Sequence, residues 1–101
     1  MAGGVSLMLL ITVTRPNSEP ILRNLLQACG RKACEVCVFF TGQGVHSLED
    51  EGVLTALAEA AEAVACAESW KESFQHDCPV TSGSQTDHSR LIGEAQHVLS
   101  L

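Results

Sequence analysis

Aromatic side chains are scarce in this chain, with one tryptophan, three phenylalanines and no tyrosine among 101 residues. Large rings therefore cannot fill its core, and Leu, Val, Ile and Ala must build it in thin layers. Thin aliphatic layers of an α/β domain often complete their burial in an oligomer, so assembly with further copies or with related chains is expected. Basic residues are also few. Arg15, Arg23, Arg31, Lys32, Lys71 and Arg90 form no run and face 12 acidic residues, for a net charge of −6. That balance argues against nucleic acid and anionic membranes as partners, since both are bound through clustered positive charge.

The apolar run over residues 5–13 is too short to span a bilayer, and no Lys or Arg precedes it as a signal peptide would require. The five cysteines, Cys29, Cys34, Cys37, Cys66 and Cys78, are an odd number with no secretory context. They suit reduced thiols in a cytoplasmic protein better than a disulfide framework. Gly42-x-Gly44 follows an apolar run, but neither a third glycine nor the Gly-Lys-Ser/Thr of a phosphate loop accompanies it. A tight strand-to-helix turn is the expected role there, with its exposed amides a minor option for a small anion.

A chain of this length fits a single domain over residues 1–101, with residues 1–4 expected to be flexible. The nearly unbroken apolar run at 5–13 suits a central parallel strand covered on both faces. Ser18 and Pro20 then open a helix over about 19–29, with Ile21, Leu22, Leu25, Leu26 and Cys29 at helical spacing and Gly30 at its close. Residues 34–40 are β-branched and aromatic, which predicts a second strand. Cys34 and Cys37 there resemble a C-x-x-C pair, but residues three apart on a strand point to opposite faces, so no shared metal or redox disulfide is expected.

Ser47 is placed to cap a second helix with a stripe of Val53, Leu54, Leu57, Ala58 and Ala61. Beyond it the pattern divides. Alanine and glutamate would let one helix run on to about Gln75, whereas the Ser-x-x-Glu capping box Ser69-Trp70-Lys71-Glu72 predicts a fresh start, preceded by a third strand at about 62–67. The broken version predicts a short helix over about 69–76 with Trp70 and Phe74 on one face. A brief strand over 78–83, a helix after Ser84 bearing Leu91, Ile92 and Ala95, and a last strand over 97–101 complete the chain. Five strands alternating with four helices define an α/β domain of three layers, α/β/α, with a mostly parallel five-stranded sheet.

Ligand-facing groups of such folds collect at the carboxyl ends of the strands, where Cys66 falls. A thiol just before a helix start is favoured as thiolate, although a cysteine in small apolar surroundings is also an ordinary core residue. Cys78, preceded by His76 and Asp77, is the runner-up nucleophile. His88, beside Asp87, suits a polar helix terminus better than a base, and His46 and His97 have no evident partner. Nothing in the sequence requires a metal or an organic cofactor.

The apolar first strand, the segment Val38-Phe39-Phe40-Thr41-Gly42-Gln43-Gly44-Val45, Val64-Ala65-Cys66, and the closing Ala95-Gln96-His97-Val98-Leu99-Ser100-Leu101 together resemble the DsrE/DsrF/DsrH (Tus-type) sulfur-relay family. The likeness is one of pattern along nearly the whole chain, and the family's Arg-Gly pair after the active cysteine is replaced here by Ser69-Trp70-Lys71-Glu72. The resemblance implies a sulfurtransferase-like persulfide carrier, working without cofactor in trimer-based hexamers between donor and acceptor proteins. Its sulfur-accepting position corresponds to Cys66. The alternative within the same fold is a non-catalytic scaffold or small-ligand-binding subunit whose cysteines are structural.

Overall fold

The computed structural model describes residues 7–30 and 34–101. Five strands, β1 (Leu7–Val13), β2 (Cys34–Phe40), β3 (Glu62–Cys66), β4 (Thr81–Gly83) and β5 (His97–Ser100), form one sheet in the order β4-β3-β2-β1-β5. Every neighbouring pair is parallel. Four α-helices alternate with them: α1 (Glu19–Gly30), α2 (Glu51–Ala56), α3 (Ala67–Ser73) and α4 (Gln85–Glu94). The α/β class and parallel sheet anticipated from the sequence are those observed. The expected flexibility of residues 1–4 and the first two positions of the apolar run lie outside the described residues.

The order of strands dictates where the helices go. From β1 to β4 the chain steps steadily one way across the sheet, then crosses back over three strands to place β5 beside β1. Parallel crossovers are right-handed, so connections running in opposite directions must lie on opposite faces. The alternation of side chains follows suit. Ile11, Val13, Val36, Val38, Phe40 and Ala65 point to one face, where they meet Leu22 and Leu26 of α1, Val53 of α2 and Trp70 of α3. Leu10, Cys37, Phe39, Val64 and Cys66 point to the other, where Leu91 of α4 covers them. The sheet thus has one thickly and one thinly covered face, and β5 at its margin leaves Val98 and Leu99 exposed.

Two glycines shape the turn after β2. Gly42 has φ +57°, a left-handed conformation, and at Gly44 a Cβ would overlap the carbonyl of Val13. The chain can therefore turn sharply into a 3-10 segment over Gly42–Glu49 that lies against the end of β1. Left-handed geometry at Gly42 and close packing at Gly44 account for the two glycines.

Three local expectations are corrected. Asp50, not Ser47, caps α2: its carboxylate accepts from the Val53 amide at 2.9 Å and also takes Arg23 at 3.1 Å, tying α1 to α2. Ser47 lies in the 3-10 segment, fully buried. The capping box at Ser69 does not form, because α3 starts two residues earlier with Cys66 as its N-cap and Ser69 inside the first turn. The fourth strand begins at Thr81, since the chain around Cys78 and Pro79 is irregular. By contrast, the box at Ser84 and Asp87 is complete, with Ser84 N donating to Asp87 Oδ2 at 2.9 Å and Thr86 N to Ser84 Oγ at 3.2 Å.

Among the described residues, no helix is long and apolar enough to cross a membrane.

Candidate functional site

The strand between residues 62 and 67, on which the placement of Cys66 depends, is present as β3, with Cys66 its last residue. Alanine is a poor strand former, so tertiary pairing holds it there: Ala63 and Ala65 are in register with Val38 and Phe40 of β2. Beyond Cys66 the chain enters α3 on the thickly covered face, whereas beyond β4 it enters α4 on the opposite face. Adjacent connections that diverge in this way open a crevice at the carboxyl edge of a parallel sheet, the place where such folds receive ligands.

A depression of about 330 Å³ occupies that crevice. One wall is Cys66 with Glu68, Ser69 and Glu72 of α3, the other is Gly83, Ser84 and Gln85 at the entry to α4, and Thr41 closes the side next to β2. Gly83 lets the walls approach, since a Cβ there would press on Val64 and on the Asp87 carboxylate.

Cys66 is 8% exposed. Burial by itself would raise its thiol pKa. The Ser69 hydroxyl, the amides of Ser69 and Glu68 and the Thr41 hydroxyl all favour the ionised sulfur, and together they bring the pKa below the ordinary thiol value. The neutral thiol makes no capping hydrogen bond, as expected of a weak acceptor; the surrounding donors act on the thiolate.

Both hydroxyls are themselves oriented. Ser69 Oγ accepts from the Gly42 amide at 2.9 Å, which leaves its hydrogen available for sulfur. Thr41 Oγ1 lies 3.5 Å from Gln85 Nε2, which can donate to it in the same sense. Donors thus converge on Cys66 from the ends of two strands, β2 and β3, with Gln85 beyond β4 behind Thr41.

The other sequence candidates lie elsewhere. Cys78 borders a separate depression of about 480 Å³ with Trp70, Phe74 and His76. Its thiol pKa is raised by burial, only partly opposed by the Val80 amide. The His76 ring packs edge-on against Trp70 rather than serving Cys78 as a base, and its carbonyl accepts from Trp70 Nε1 at 2.6 Å. Cys37 is buried under α4, with its thiol pushed up to about 11 by burial and, less strongly, by Glu62, Glu35 and Glu94. His88 is not a simple helix-terminus residue, for it stacks on Phe39 at 4.6 Å and meets Thr12 Oγ1 at 3.0 Å. His46 does have neighbours, Glu49 at 3.6 Å and the Phe74 ring. His97 is exposed on β5.

Sequence reasoning missed Thr41, Ser69 and Gln85 as neighbours of the sulfur. Ser69 was legible only as a helix cap, and Thr41 and Gln85 reach the site through a strand order that local pattern does not encode. Among the described residues, no group of three or more His, Cys, Asp or Glu side chains is placed to hold a metal ion.

No family model, curated protein or solved structure matches the chain.

Proposed function

We propose that this chain is a sulfur carrier that accepts sulfane sulfur on Cys66 and passes it on. The observation that carries the reading is the lowered thiol of Cys66 inside the crevice between β3 and β4. The resemblance of the sequence to sulfur-relay proteins of the DsrE type supports the same assignment. In the accepting step the Cys66 thiolate attacks the outer sulfur of a donor persulfide, R–S–SH. A bond forms between Cys66 Sγ and that sulfur, the donor S–S bond breaks, and its electron pair leaves as R–S⁻ with the proton retained on the transferred sulfur. Passing it on is the same exchange, with an acceptor thiolate attacking the terminal sulfur of Cys66–S–SH. Neither direction needs an oxidant or a cofactor.

The carrier would act in the cytoplasm as an oligomer, homo- or heteromeric, between donor and acceptor proteins. Exposed Val98 and Leu99 on the marginal strand β5 support a further subunit there.

The competing reading is a non-catalytic subunit of the same fold with structural cysteines, and the low exposure of Cys66 speaks for it. Incubation with a persulfide donor, or with a cysteine desulfurase and cysteine, separates the two by intact mass. A gain of one sulfur atom that disappears in Cys66→Ser is expected of the carrier. No gain, or a gain that persists in Cys66→Ser, overturns it.

A further inference from the structure

The residues lining the Cys66 crevice include two exposed carboxylates, Glu68 and Glu72, and no Lys or Arg. They lie one turn apart on α3, so both flank the same mouth. Nearby cations are committed elsewhere. Arg90 of α4 pairs with Glu62 and Glu94, and Lys71 of α3 faces the separate depression beside Trp70 and Cys78. Asp87, at the far wall, has its carboxylate on the Ser84 amide. The electrostatic field at the mouth is therefore negative, while the hydroxyls that stabilise the sulfur, on buried Ser69 and half-buried Thr41, are less exposed than the carboxylates.

We propose that Glu68 and Glu72 make the Cys66 crevice selective by charge, favouring sulfur donors and acceptors that carry positive charge beside the reacting sulfur over small anionic ones. The occupant this chemistry fits is a cysteine in a basic polypeptide segment. Thiosulfate and glutathione persulfide are disfavoured. During exchange, negative charge spreads along the three sulfur atoms in line. An anionic partner adds like charge at a mouth lined by two carboxylates, and a cationic partner neutralises it. This deepens the sulfur-carrier reading and rests on it for the identity of the cargo, but the selectivity itself acts on any thiolate exchange at Cys66.

Mixed-disulfide formation at Cys66 tests it with three symmetrical disulfides: cystamine (cationic), hydroxyethyl disulfide (neutral) and dithiodipropionate (anionic). Each step balances as thiolate plus disulfide giving mixed disulfide plus released thiolate. Each rate is divided by that of mercaptoethanol with the same disulfide, which removes differences between leaving groups. A normalised preference of roughly tenfold for cystamine over dithiodipropionate at low ionic strength is expected. The preference should shrink towards unity in roughly 0.5 M sodium chloride, where screening acts within a few ångströms. It should also shrink in Glu68→Gln/Glu72→Gln but persist in Glu35→Gln/Glu59→Gln, which removes the same charge at exposed positions near the amino edge of the sheet.

A preference near unity in the native chain, an equal loss in both double variants, or no mixed disulfide at Cys66 at all overturns the proposal. Should the first double variant fail to fold, the salt dependence of the native chain decides. Charge preference without sulfane uptake would sink the carrier reading alone, and uptake without charge preference would sink this one alone.

Discussion

The Gly42 amide donates to Ser69 Oγ at 2.9 Å, joining the turn after β2 to the first turn of α3 and fixing which way the serine hydroxyl can donate. A backbone group thereby positions a side chain that favours the Cys66 thiolate.

Replacing that hydroxyl should be felt at the sulfur and in the fold. In Ser69→Ala the Cys66 pKa is expected to rise, slowing its alkylation by iodoacetamide at neutral pH, with the difference closing in strong alkali. The Gly42 amide loses its acceptor, at a cost of about 1 kcal/mol in denaturant unfolding. An unchanged pH profile of alkylation would show that the serine does not act on the thiol.

Glycine positions should divide sharply. Gly44→Ala forces a methyl group into the Val13 carbonyl, which accepts the Thr41 amide at 3.0 Å, and is expected to cost about 3 kcal/mol or more. Gly93→Ala, in α4 with open space around it, is expected to stabilise by roughly 0.5–1 kcal/mol through helix propensity. Urea midpoints of the two variants measure both effects, and equal shifts would contradict the close approach at Gly44.

Leu91 is the fully buried side chain that α4 sets on the thinly covered face. Leu91→Ala is expected to cost about 2–5 kcal/mol by chemical denaturation, whereas Ile92→Ala, at an exposed neighbour, should stay within about 0.5 kcal/mol.

Alkaline stability should depend on Cys37. Its folded pKa of about 11 lies above the ordinary 9.0, so its thiol favours the folded state below pH 9.0 and loses that contribution as pH rises towards 11. The gap is worth on the order of 2–3 kcal/mol. Cys37→Ala should flatten the decline of stability across this window. Cys66 has the opposite sign, because its lowered pKa contributes stability that is present above the unfolded value and lost as pH falls through the folded one. An identical alkaline decline in native chain and Cys37→Ala would refute the assignment.

Much of the fold was legible because local and tertiary preferences agree. Cys34 to Phe40 reads as a strand and is one, and Ser84 reads as the start of a helix and is its N-cap. Pattern was divided where local propensity and tertiary contacts disagree. The Ala- and Glu-rich stretch through Glu62 and Ala65 allowed a continuing helix as well as the strand that forms, held by pairing with β2 and β4, and Ser69 forgoes its expected cap because β3 has already ended at Cys66. The position of Cys66 at the carboxyl end of β3 was legible in the sequence. Its companions Thr41 and Gln85, 25 residues before it and 19 after, were not, since Thr41 arrives through the pairing of β2 with β3 and Gln85 through the reversal of stepping across the sheet after β4.

That reversal leaves α4 as the sole helix over Cys37 and Phe39 among the described residues. A single amphipathic helix held chiefly by Leu91 and His88 is a natural unit of partial opening, able to lift while the opposite layer stays packed. Cys37 then serves as a built-in clock: the rate at which a thiol reagent labels it in the native protein reads the free energy of lifting α4 alone. Because Ser84 and Gln85 form one wall of the crevice, the same excursion would set how large a partner reaches Cys66.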